Sequence, residues 1–243
     1  MKILLVGYGK MGHMVEQVAH RRGHKIAGVI DSAEPGAWSA GEPEKADIAI
    51  EFSTPQSAVD NLRRCFEAHL PVVCGTTGWY DRMDEVRELC DKHGTALFYA
   101  SNFSIGVYIF DQINARLAEI MEGYPSYDVS MEEIHHIHKQ DYPSGTALTL
   151  AHTILEHLHR KKGSVAYLNS EPQPHLEDRI TIHSLREGEV PGTHRVCYSS
   201  EVDEIRLEHV AKGREGFALG AVVAAEFLLG KHGVYTMRDL MHF

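Results

Sequence analysis

The sequence begins with a short apolar run that leads directly into a group of glycines. Residues 3–6 read I-L-L-V, and residues 7–12 read G-Y-G-K-M-G. An amphipathic stretch over residues 14–19 predicts a helix, and a second apolar run, 26–30, ends at Asp31. Strand, G-x-G-x-x-G turn, helix, strand and acidic residue in this order are typical of a dinucleotide-binding unit. The start of the chain therefore predicts parallel strands wound with helices around a nucleotide site.

The glycine turn and the acidic residue supply the first predicted cofactor contacts. A glycine turn lets the backbone approach a pyrophosphate, whose charge the helix N-terminus stabilises. Asp31 is positioned to accept hydrogen bonds from the adenosine ribose hydroxyls. A glycine turn alone would be weak evidence, but the complete unit favours a dinucleotide site. The contacts predicted in the turn are Gly7, Tyr8, Gly9, Lys10, Met11 and Gly12.

Three further apolar runs continue the alternation of strands and helices. Strands are predicted at residues 47–52, 71–74 and 96–100, with helices at 56–69 and 81–93. Small polar residues follow the strands, and ligands of a doubly wound sheet lie beyond the carboxyl ends of its strands. Each hydroxyl taken alone suits a helix N-cap nearly as well. The further predicted cofactor contacts are Gly75, Thr76, Thr77, Ala100, Ser101, Asn102 and Phe103.

The pattern changes after residue 102. The segment 103–215 predicts an α+β domain with a small open mixed sheet, whose open face a homo-oligomer could cover. The apolar helix predicted at 216–229 is expected to pack back on the first domain. We therefore expect a Rossmann-type α/β domain from residues 1–102 and 216–243, and a substrate-binding and oligomerisation domain from 103–215. In the second domain we predict helices at 105–121 and 147–159, strands at 129–137, 180–185, 193–199 and 204–209, and a loop at 161–177.

Charge and composition narrow the class of protein. A formal net charge of −10 argues against a nucleic-acid partner, which would require a basic face. The longest apolar stretch, 217–229, is too short to span a bilayer. The four cysteines show no regular spacing, which suits reduced thiols in a reducing compartment. We expect a cytoplasmic protein that does not bind membranes.

One segment of the second domain carries most of the reactive side chains. Residues 133–147 read E-I-H-H-I-H-K-Q-D-Y-P-S-G-T-A, so three imidazoles and an ammonium precede a turn and a helix. Potential cations beside a helix N-terminus suit an anionic substrate that also exchanges protons. His135 and Lys139 are four residues apart, which places them on the same side of an extended or a helical segment. These two residues are the predicted proton-transfer groups.

Three other interpretations of this segment compete. His135, His136 and His138 could bind zinc, but no further Cys or Glu lies at a familiar ligand spacing, and we predict no metal. The segment could also be a polar edge strand without a function. The turn at 144–146 could serve only as a helix cap, although capping is compatible with binding a carboxylate.

The run 133–147 closely resembles the motif of the dihydrodipicolinate reductase family. Four other segments also resemble family sequences, so the resemblance extends over nearly the whole chain. These segments are 75–78, 101–107, 214–221 and 233–237. The His-His-x-His-Lys…Pro-Ser-Gly-Thr-Ala run is highly specific, whereas the other segments carry less weight.

The resemblance implies hydride transfer from NADH or NADPH to a cyclic dicarboxylate imine. By the same resemblance His135 is the general acid/base and Lys139 the proton donor, and the protein is a homotetramer built through the second domain. The residues implied in binding the substrate carboxylates are His136, Ser144, Gly145 and Thr146. One rival is another two-domain dehydrogenase acting on a small carboxylated imine or aldehyde, and an aldehyde enzyme would need a catalytic cysteine. A non-catalytic nucleotide sensor is a second rival, but it would have lost the His/Lys pair.

The chain departs from the family pattern in three places. The glycine turn is one residue shorter than usual and carries Lys10 where Arg is common. Ser32 follows Asp31 where some members have an Arg suited to a 2′-phosphate. Residues 192–194 read G-T-H where Gly-Glu-His is typical. Asp31 without a neighbouring Arg slightly favours NADH, whereas Lys10 would suit a phosphate.

Overall fold

The computed structural model describes residues 1–31, 38, 43–169 and 176–242, and it divides into two compact units. Unit 1 comprises Met1–Ile105 and Arg214–Phe243, and unit 2 comprises Gly106–Gly213. The first unit is therefore discontinuous along the chain. Ser32, which bears on the predicted cofactor preference, lies outside the described residues.

Unit 1 is built on a six-stranded parallel sheet with the strand order β11-β5-β4-β3-β1-β2. Its strands are β1 (Lys2–Val6), β2 (Lys25–Ile30), β3 (Ile48–Glu51), β4 (Val72–Cys74), β5 (Ala96–Tyr99) and β11 (Gly233–Tyr235). Its helices are α1 (Lys10–Arg21), α2 (Pro55–Glu67), α3 (Met83–Lys92), α6 (Glu215–Leu228) and α7 (Met237–Met241). Short 3-10 turns occupy Pro43–Lys45 and Tyr80–Arg82. The predicted parallel α/β sheet is confirmed.

The central strands of this sheet are buried on both faces. Every residue of β3 and β4 is buried, which explains why these strands read as continuous apolar runs rather than alternating ones. Small residues of α6 pack on β3, β4 and β5, among them Ala218, Ala221 and Ala225, all with no exposed surface. A Cβ on Gly220 of the same helix would lie 1.7 Å from the carbonyl oxygen of Phe103, so this contact requires glycine.

Unit 2 contains a five-stranded mixed sheet with the order β10-β9-β6-β8-β7. Its strands are β6 (Asp128–His135), β7 (Gly163–Leu168), β8 (Arg179–Arg186), β9 (Thr193–Ser199) and β10 (Glu204–Val210). β6, β8 and β7 run parallel, and β9 is antiparallel to both β6 and β10. The helices α4 (Ile105–Met121) and α5 (Gly145–His157) contribute to the same apolar core as one face of this sheet. The predicted small mixed sheet is confirmed.

The central strand β6 changes character along its length. Its side chains alternate between buried and half-buried, as expected for a strand with one face on a core. Val129 and Met131 on the buried face pack in the apolar core. Glu133 and His135 follow on the same face and are also buried. Because burying an unpaired charge is costly, these two polar side chains require partners.

The structure corrects two sequence predictions in unit 2. The loop predicted at 161–177 is wrong, because Gly163–Leu168 forms β7. The strand predicted at 129–137 ends at His135, so residues 136–138 lie in a turn and not in a strand. The strand β11 and the helix α7 were not predicted from the sequence. Among the described helices, none combines the length and the apolar character needed to cross a lipid bilayer.

Candidate active site

The predicted cofactor residues of unit 1 lie at the carboxyl ends of the parallel strands. Gly7 follows β1 with a φ of +90°, a conformation that favours glycine. A Cβ at Gly7 would lie 2.0 Å from the carbonyl oxygen of Phe52, which follows β3. The Gly7 N–H donates to the carbonyl of Ile30, the last residue of β2, at 2.7 Å. The glycine turn thus connects three strand ends at the point where the strand order reverses.

The start of α1 has the properties of a pyrophosphate site. Gly9 is the N-cap, no side chain caps the helix, and the first turn holds no acidic residue. A Cβ at Gly9 would meet nothing within 4 Å, so the space in front of the helix is open. Lys10 is exposed at the first helical position. The N–H groups of this turn and the helix dipole therefore fit a phosphate group.

The other predicted residues of the glycine turn, and the acidic residue Asp31, differ in their surroundings. The Tyr8 hydroxyl donates to Glu16, and its ring lies 4.0 Å from the ring of His13, centroid to centroid. Met11 and Gly12 lie in the first turn of α1, where Gly12 is buried. Asp31 directly follows β2 and is half-buried. Its place at a strand end next to the glycine turn is the one expected of a ribose-binding acid.

Of the residues predicted after β4 and β5, three make the contacts described next within the protein, and four lie at exposed or half-buried positions. The Thr76 hydroxyl accepts a hydrogen bond from the Ser53 N–H at 2.7 Å, and Thr76 is buried. Phe103 is buried against the rings of Phe52 and Phe98. Asn102 Oδ1 accepts from the Ser104 N–H at 2.8 Å. The remaining four positions are exposed or half-buried after the strand ends, namely Gly75, Thr77, Ala100 and Ser101. Their contacts with a cofactor stay predictions.

In unit 2 the candidate catalytic histidine is paired with a buried carboxylate. Nδ1 of His135 lies 2.6 Å from Oε2 of Glu133, two residues earlier on the same face of β6. Burial raises the pKa of Glu133, but the adjacent His135 and Ser184 side chains and the charges of His135 and Arg186 outweigh it and lower the pKa to about 2. Glu133 is therefore a carboxylate at neutral pH.

Arg186 connects this pair to the segment that carries Lys139. Its guanidinium lies 3.4 Å from Oε1 of Glu133. The same group donates to the backbone carbonyls of Lys139 at 3.2 Å and of Asp141 at 2.8 Å. The Lys139 ammonium in turn donates to both carboxylate oxygens of Asp141, at 2.8 and 2.7 Å, and this hydrogen bond lowers the pKa of Asp141. Arg186 thus contacts both the carboxylate beside His135 and the backbone of the segment that carries Lys139.

A second histidine adjoins the pair. The Ser144 hydroxyl caps α5 by accepting from the Ala147 N–H at 3.2 Å, and it lies 3.0 Å from Nε2 of His194. The rings of His135 and His194 are 5.2 Å apart, centroid to centroid. Burial, followed by the charge of His135, lowers the pKa of His194 to about 4. His194 is therefore neutral at physiological pH.

The predicted substrate-binding residues lie around the start of α5 and the turn after β6. Gly145 and Thr146 form the first positions of α5, which holds no acidic residue in its first turn, and space around Gly145 is open. The half-buried His136 lies in the turn, with its ring 6.0 Å from that of the exposed His138. Ser144 is buried, and its N–H lies 3.3 Å from Oε1 of Glu133. A helix N-terminus without an acidic residue, in the same short segment as His136 and Lys139, is suited to an anionic ligand.

In the structure, the residues that could share a metal ion differ from the three histidines considered in the sequence. Among the described residues, the donor atoms close enough to share an ion belong to Glu133, His135 and His194, within 4.8 Å of one another. They are not the three histidines weighed from the sequence. The guanidinium of Arg186 beside Glu133 already brings a positive charge to this carboxylate, which disfavours a second cation. Within this group, Oε2 of Glu133 lies 2.6 Å from Nδ1 of His135.

The cysteines do not provide the nucleophile that an aldehyde dehydrogenase would need. Cys65, Cys74 and Cys90 are buried, and burial raises the pKa of each thiol, to about 11 for Cys90. A thiol with a raised pKa is a poor nucleophile. Cys197 lies within β9 and is half-buried.

Three residues of the site were not predicted from the sequence: Glu133, Arg186 and His194. Arg186 and His194 lie 53 and 61 positions after Glu133, and the strand pairing brings them together. Glu133 is the first residue of the 133–147 run. Residues two apart in a strand lie on the same face, so its spacing from His135 was the signal that could have identified it.

Comparison with known proteins gives a consistent result along the whole chain. The family model "Dihydrodipicolinate reductase, N-terminus" matches residues 1–103, and "Dihydrodipicolinate reductase, C-terminus" matches residues 106–241. The 4-hydroxy-tetrahydrodipicolinate reductase of Christiangramia forsetii is 47% identical over 241 residues, covering 99% of this chain and 98% of the relative. The enzyme of the same name from Staphylococcus epidermidis is 32% identical, covering 99% and 100%.

A solved structure has the same fold. It is the dipicolinate-bound dihydrodipicolinate reductase from Paenisporosarcina sp. TG-14, with a TM-score of 0.76 and 21% sequence identity over 97% of each chain. At this identity the likeness concerns the fold, and it agrees with the two sheets described above.

Proposed function

The chain belongs to the dihydrodipicolinate reductase family, and from this we propose that it reduces 4-hydroxy-tetrahydrodipicolinate to tetrahydrodipicolinate with NADH or NADPH. The reaction belongs to the synthesis of lysine and diaminopimelate. The structural observation that carries the proposal is the buried Glu133–His135 pair next to the open N-terminus of α5. This arrangement combines a proton-transfer group with a site for a carboxylate.

The reaction determines which groups the site must supply. Replacing the 4-hydroxyl by hydrogen requires the loss of one water and the gain of one hydride and one proton. When bound, the reduced nicotinamide supplies the hydride. His135 and Lys139 then handle the protons, with His135 as general acid/base and Lys139 as proton donor. The ammonium of Lys139, held by Asp141, also offers a positive charge to an anionic substrate.

The two substrate carboxylates require hydrogen-bond donors. We assign this role to the first N–H groups of α5, at Gly145 and Thr146, and to the imidazole of His136. Ser144 shapes this site through the helix cap, because its hydroxyl contacts Ala147 and His194. The Paenisporosarcina relative was solved with dipicolinate, a dicarboxylate of this kind.

For the cofactor, we propose a preference for NADH. Asp31 lies at the end of β2, where an acid can accept hydrogen bonds from both ribose hydroxyls and repel a 2′-phosphate. Lys10 at the start of α1 attracts phosphate groups of either cofactor. The remaining cofactor contacts are those of the glycine turn and of the segments after β4 and β5.

The experiment that tests the function is a coupled assay. The product of dihydrodipicolinate synthase is supplied, and the oxidation of NADH and NADPH is followed separately. We expect oxidation of both, with a higher kcat/KM for NADH. His135→Gln and Lys139→Ala should each lower kcat by roughly 10²–10⁴-fold, the range for removal of a proton-transfer group. His138→Gln is the matched control, because His138 is exposed in the same turn and pairs with Glu189.

Each outcome of this assay has a definite meaning. If the wild-type protein oxidises neither cofactor, the proposed function is wrong. If NADPH is used with a higher kcat/KM, the role of Asp31 in cofactor choice is wrong. Near-normal turnover of His135→Gln and Lys139→Ala would remove these two residues from catalysis.

A further inference from the structure

We propose that Glu133 is the positioning residue of the active site, which holds the Nδ1–H of His135 and so leaves Nε2 free to exchange the substrate proton. This inference rests on the proposed role of His135 as general acid/base. The family resemblance assigned Glu133 no role. The contacts of the Glu133 carboxylate, its burial and its place on β6 support this role.

The two oxygens of Glu133 have different partners. Oε2 lies 2.6 Å from Nδ1 of His135. Among the described residues, the partners of Oε1 are donors, namely the Arg186 guanidinium at 3.4 Å and the Ser144 N–H at 3.3 Å. Because a carboxylate is an acceptor and Glu133 has no exposed surface, the short contact requires the proton on Nδ1 of His135. In its neutral form, His135 therefore presents an unprotonated Nε2.

The surroundings of Nε2 fit this assignment. Nε2 of His135 lies 3.1 Å from the position that a Cβ on Gly192 would occupy. Glycine at this position therefore leaves space beside the nitrogen that a side chain would fill. Nε2 of the neighbouring imidazole, His194, lies 3.0 Å from the Ser144 hydroxyl oxygen, so His194 has its own partner. Among the described residues, Glu133 is the carboxylate that contacts Nδ1 of His135.

Replacement of Glu133 by glutamine should reverse the tautomer. The amide oxygen of glutamine would turn toward Arg186 and the Ser144 N–H, because these are donors and the amide NH₂ would repel them. The NH₂ group would then face Nδ1 of His135, and Nδ1 would have to accept. Neutral His135 would carry its proton on Nε2 and could no longer receive one there.

The neighbouring residue provides a matched control. Glu132 precedes Glu133 on β6, but its side chain points to the opposite face and pairs with Arg195. Glu132→Gln therefore removes a charge from the same strand without touching His135. Glu133→Asp keeps the carboxylate on a side chain shorter by one methylene, and it serves as the conservative replacement.

The first measurement is the tautomer of His135 by long-range ¹H–¹⁵N NMR on histidine-labelled protein. The His135 signals are assigned by their absence in His135→Gln. In the wild type and in Glu132→Gln, neutral His135 should carry the proton on Nδ1, and in Glu133→Gln on Nε2. A wild-type spectrum with the proton on Nε2 overturns the proposal even if Glu133→Gln does not fold.

The second measurement separates kcat from KM. Glu133→Gln should lower kcat roughly 10²-fold, between the 10- to 100-fold effect of partners that orient metal-bound imidazoles and the ~10⁴-fold effect in the serine protease triad. KM for the cofactor should stay within about threefold, because the cofactor residues are in unit 1, and Glu133→Asp should recover part of kcat. Normal kcat in folded Glu133→Gln contradicts the proposal.

The two measurements distinguish this inference from the proposed function. The NMR experiment needs neither substrate nor cofactor, so it can support the positioning role in a protein that proves inactive on 4-hydroxy-tetrahydrodipicolinate. Conversely, an active wild type with an Nε2–H tautomer would support the function and reject the role of Glu133.

Discussion

At the scale of single residues, the candidate active site of unit 2 places carboxylates beside His135 and Lys139 and keeps His194 neutral. His135 lies against Glu133, Lys139 donates to Asp141, and His194 is neutral because burial opposes its charge. An unpaired charge at this depth would cost several kcal/mol.

His194 makes stability depend on pH. Its pKa falls from 6.5 to about 4 in the folded protein, so the unfolded chain binds this proton first as the pH decreases. The free energy of unfolding should therefore fall between about pH 6.5 and 4, by up to about 3 kcal/mol from this residue. Urea unfolding at a series of pH values measures the slope, which His194→Asn should reduce.

The control for this prediction is His152→Asn, because His152 is exposed on α5. Its slope should match the wild type. Glu133 also has a lowered pKa, but its contribution is lost only below about pH 4.5, as the carboxyl is protonated on the way to about pH 2. An unchanged slope in His194→Asn between pH 6.5 and 4.5 would contradict the assignment to His194.

Residue roles were predictable from the sequence where they depend on local order. The resemblance of the 133–147 run placed His135, Lys139 and the helix start in one segment. It could not reveal Arg186 and His194, because these reach the site only through the pairing of β6 with β8 and β9. A contact between residues on neighbouring strands of a sheet produces no pattern in the sequence around either residue.

At the scale of elements, the sequence correctly predicts helices with strong apolar periodicity and strands that are fully apolar. The predicted bounds of α4 agree with the structure, and those of β1, β3 and β5 agree to within one or two residues. β7 was missed because all six of its residues are half-buried and it forms an edge with one partner strand. Among the described strands β11 pairs with β5 alone, and its three residues are too few for a hydrophobic pattern to indicate a strand.

The packing of α6 makes a prediction at this scale. A Cβ at Gly220 would lie 1.7 Å from the Phe103 carbonyl oxygen, a backbone atom that cannot move alone. Although alanine favours a helix by up to about 1 kcal/mol, overpacking typically costs about 1–3 kcal/mol or more. Gly220→Ala should therefore lower the melting temperature, measured by circular dichroism.

Gly216 on the same helix supplies the comparison. A Cβ there would meet only Ser104 Oγ, at 3.8 Å, an ordinary contact. Gly216→Ala should leave the melting temperature unchanged or raise it slightly. Equal effects of the two substitutions would show that α6 tolerates a methyl group at Gly220 and that the close approach to Phe103 is not needed for stability.

At the scale of the whole molecule, we propose that the second face of the unit 2 sheet forms a subunit interface of a homotetramer. Core residues such as Ile180, Ile182 and Val196 cover one face. The alternating residues of the same strands are half-buried, and the apolar ones include Ile134, Val165, Tyr167 and Leu185. A sheet with this apolar content on its second face gains from association with an equivalent surface.

The oligomer prediction is tested by light scattering after size exclusion. The wild-type protein should have about four times the chain mass of 27.2 kDa. Tyr167 alternates with Ala166, which packs in the core, so Tyr167→Arg places a charge on the second face and should shift the mass downward. Tyr124→Arg, at an exposed tyrosine outside the sheet, should leave the mass unchanged. A monomeric wild type would refute the tetramer.

The discontinuity of unit 1 has a consequence for synthesis on the ribosome. β11 and α6 are translated after the whole of unit 2, yet β11 pairs with β5 and α6 packs on β3, β4 and β5. While they are absent, β5 is an edge strand and the apolar surface beneath α6 is exposed to water. Unit 2 has all its residues available first. The nascent chain thus holds an incomplete nucleotide-binding unit while the substrate unit is already able to fold, and this interval is where a chaperone would find exposed apolar surface.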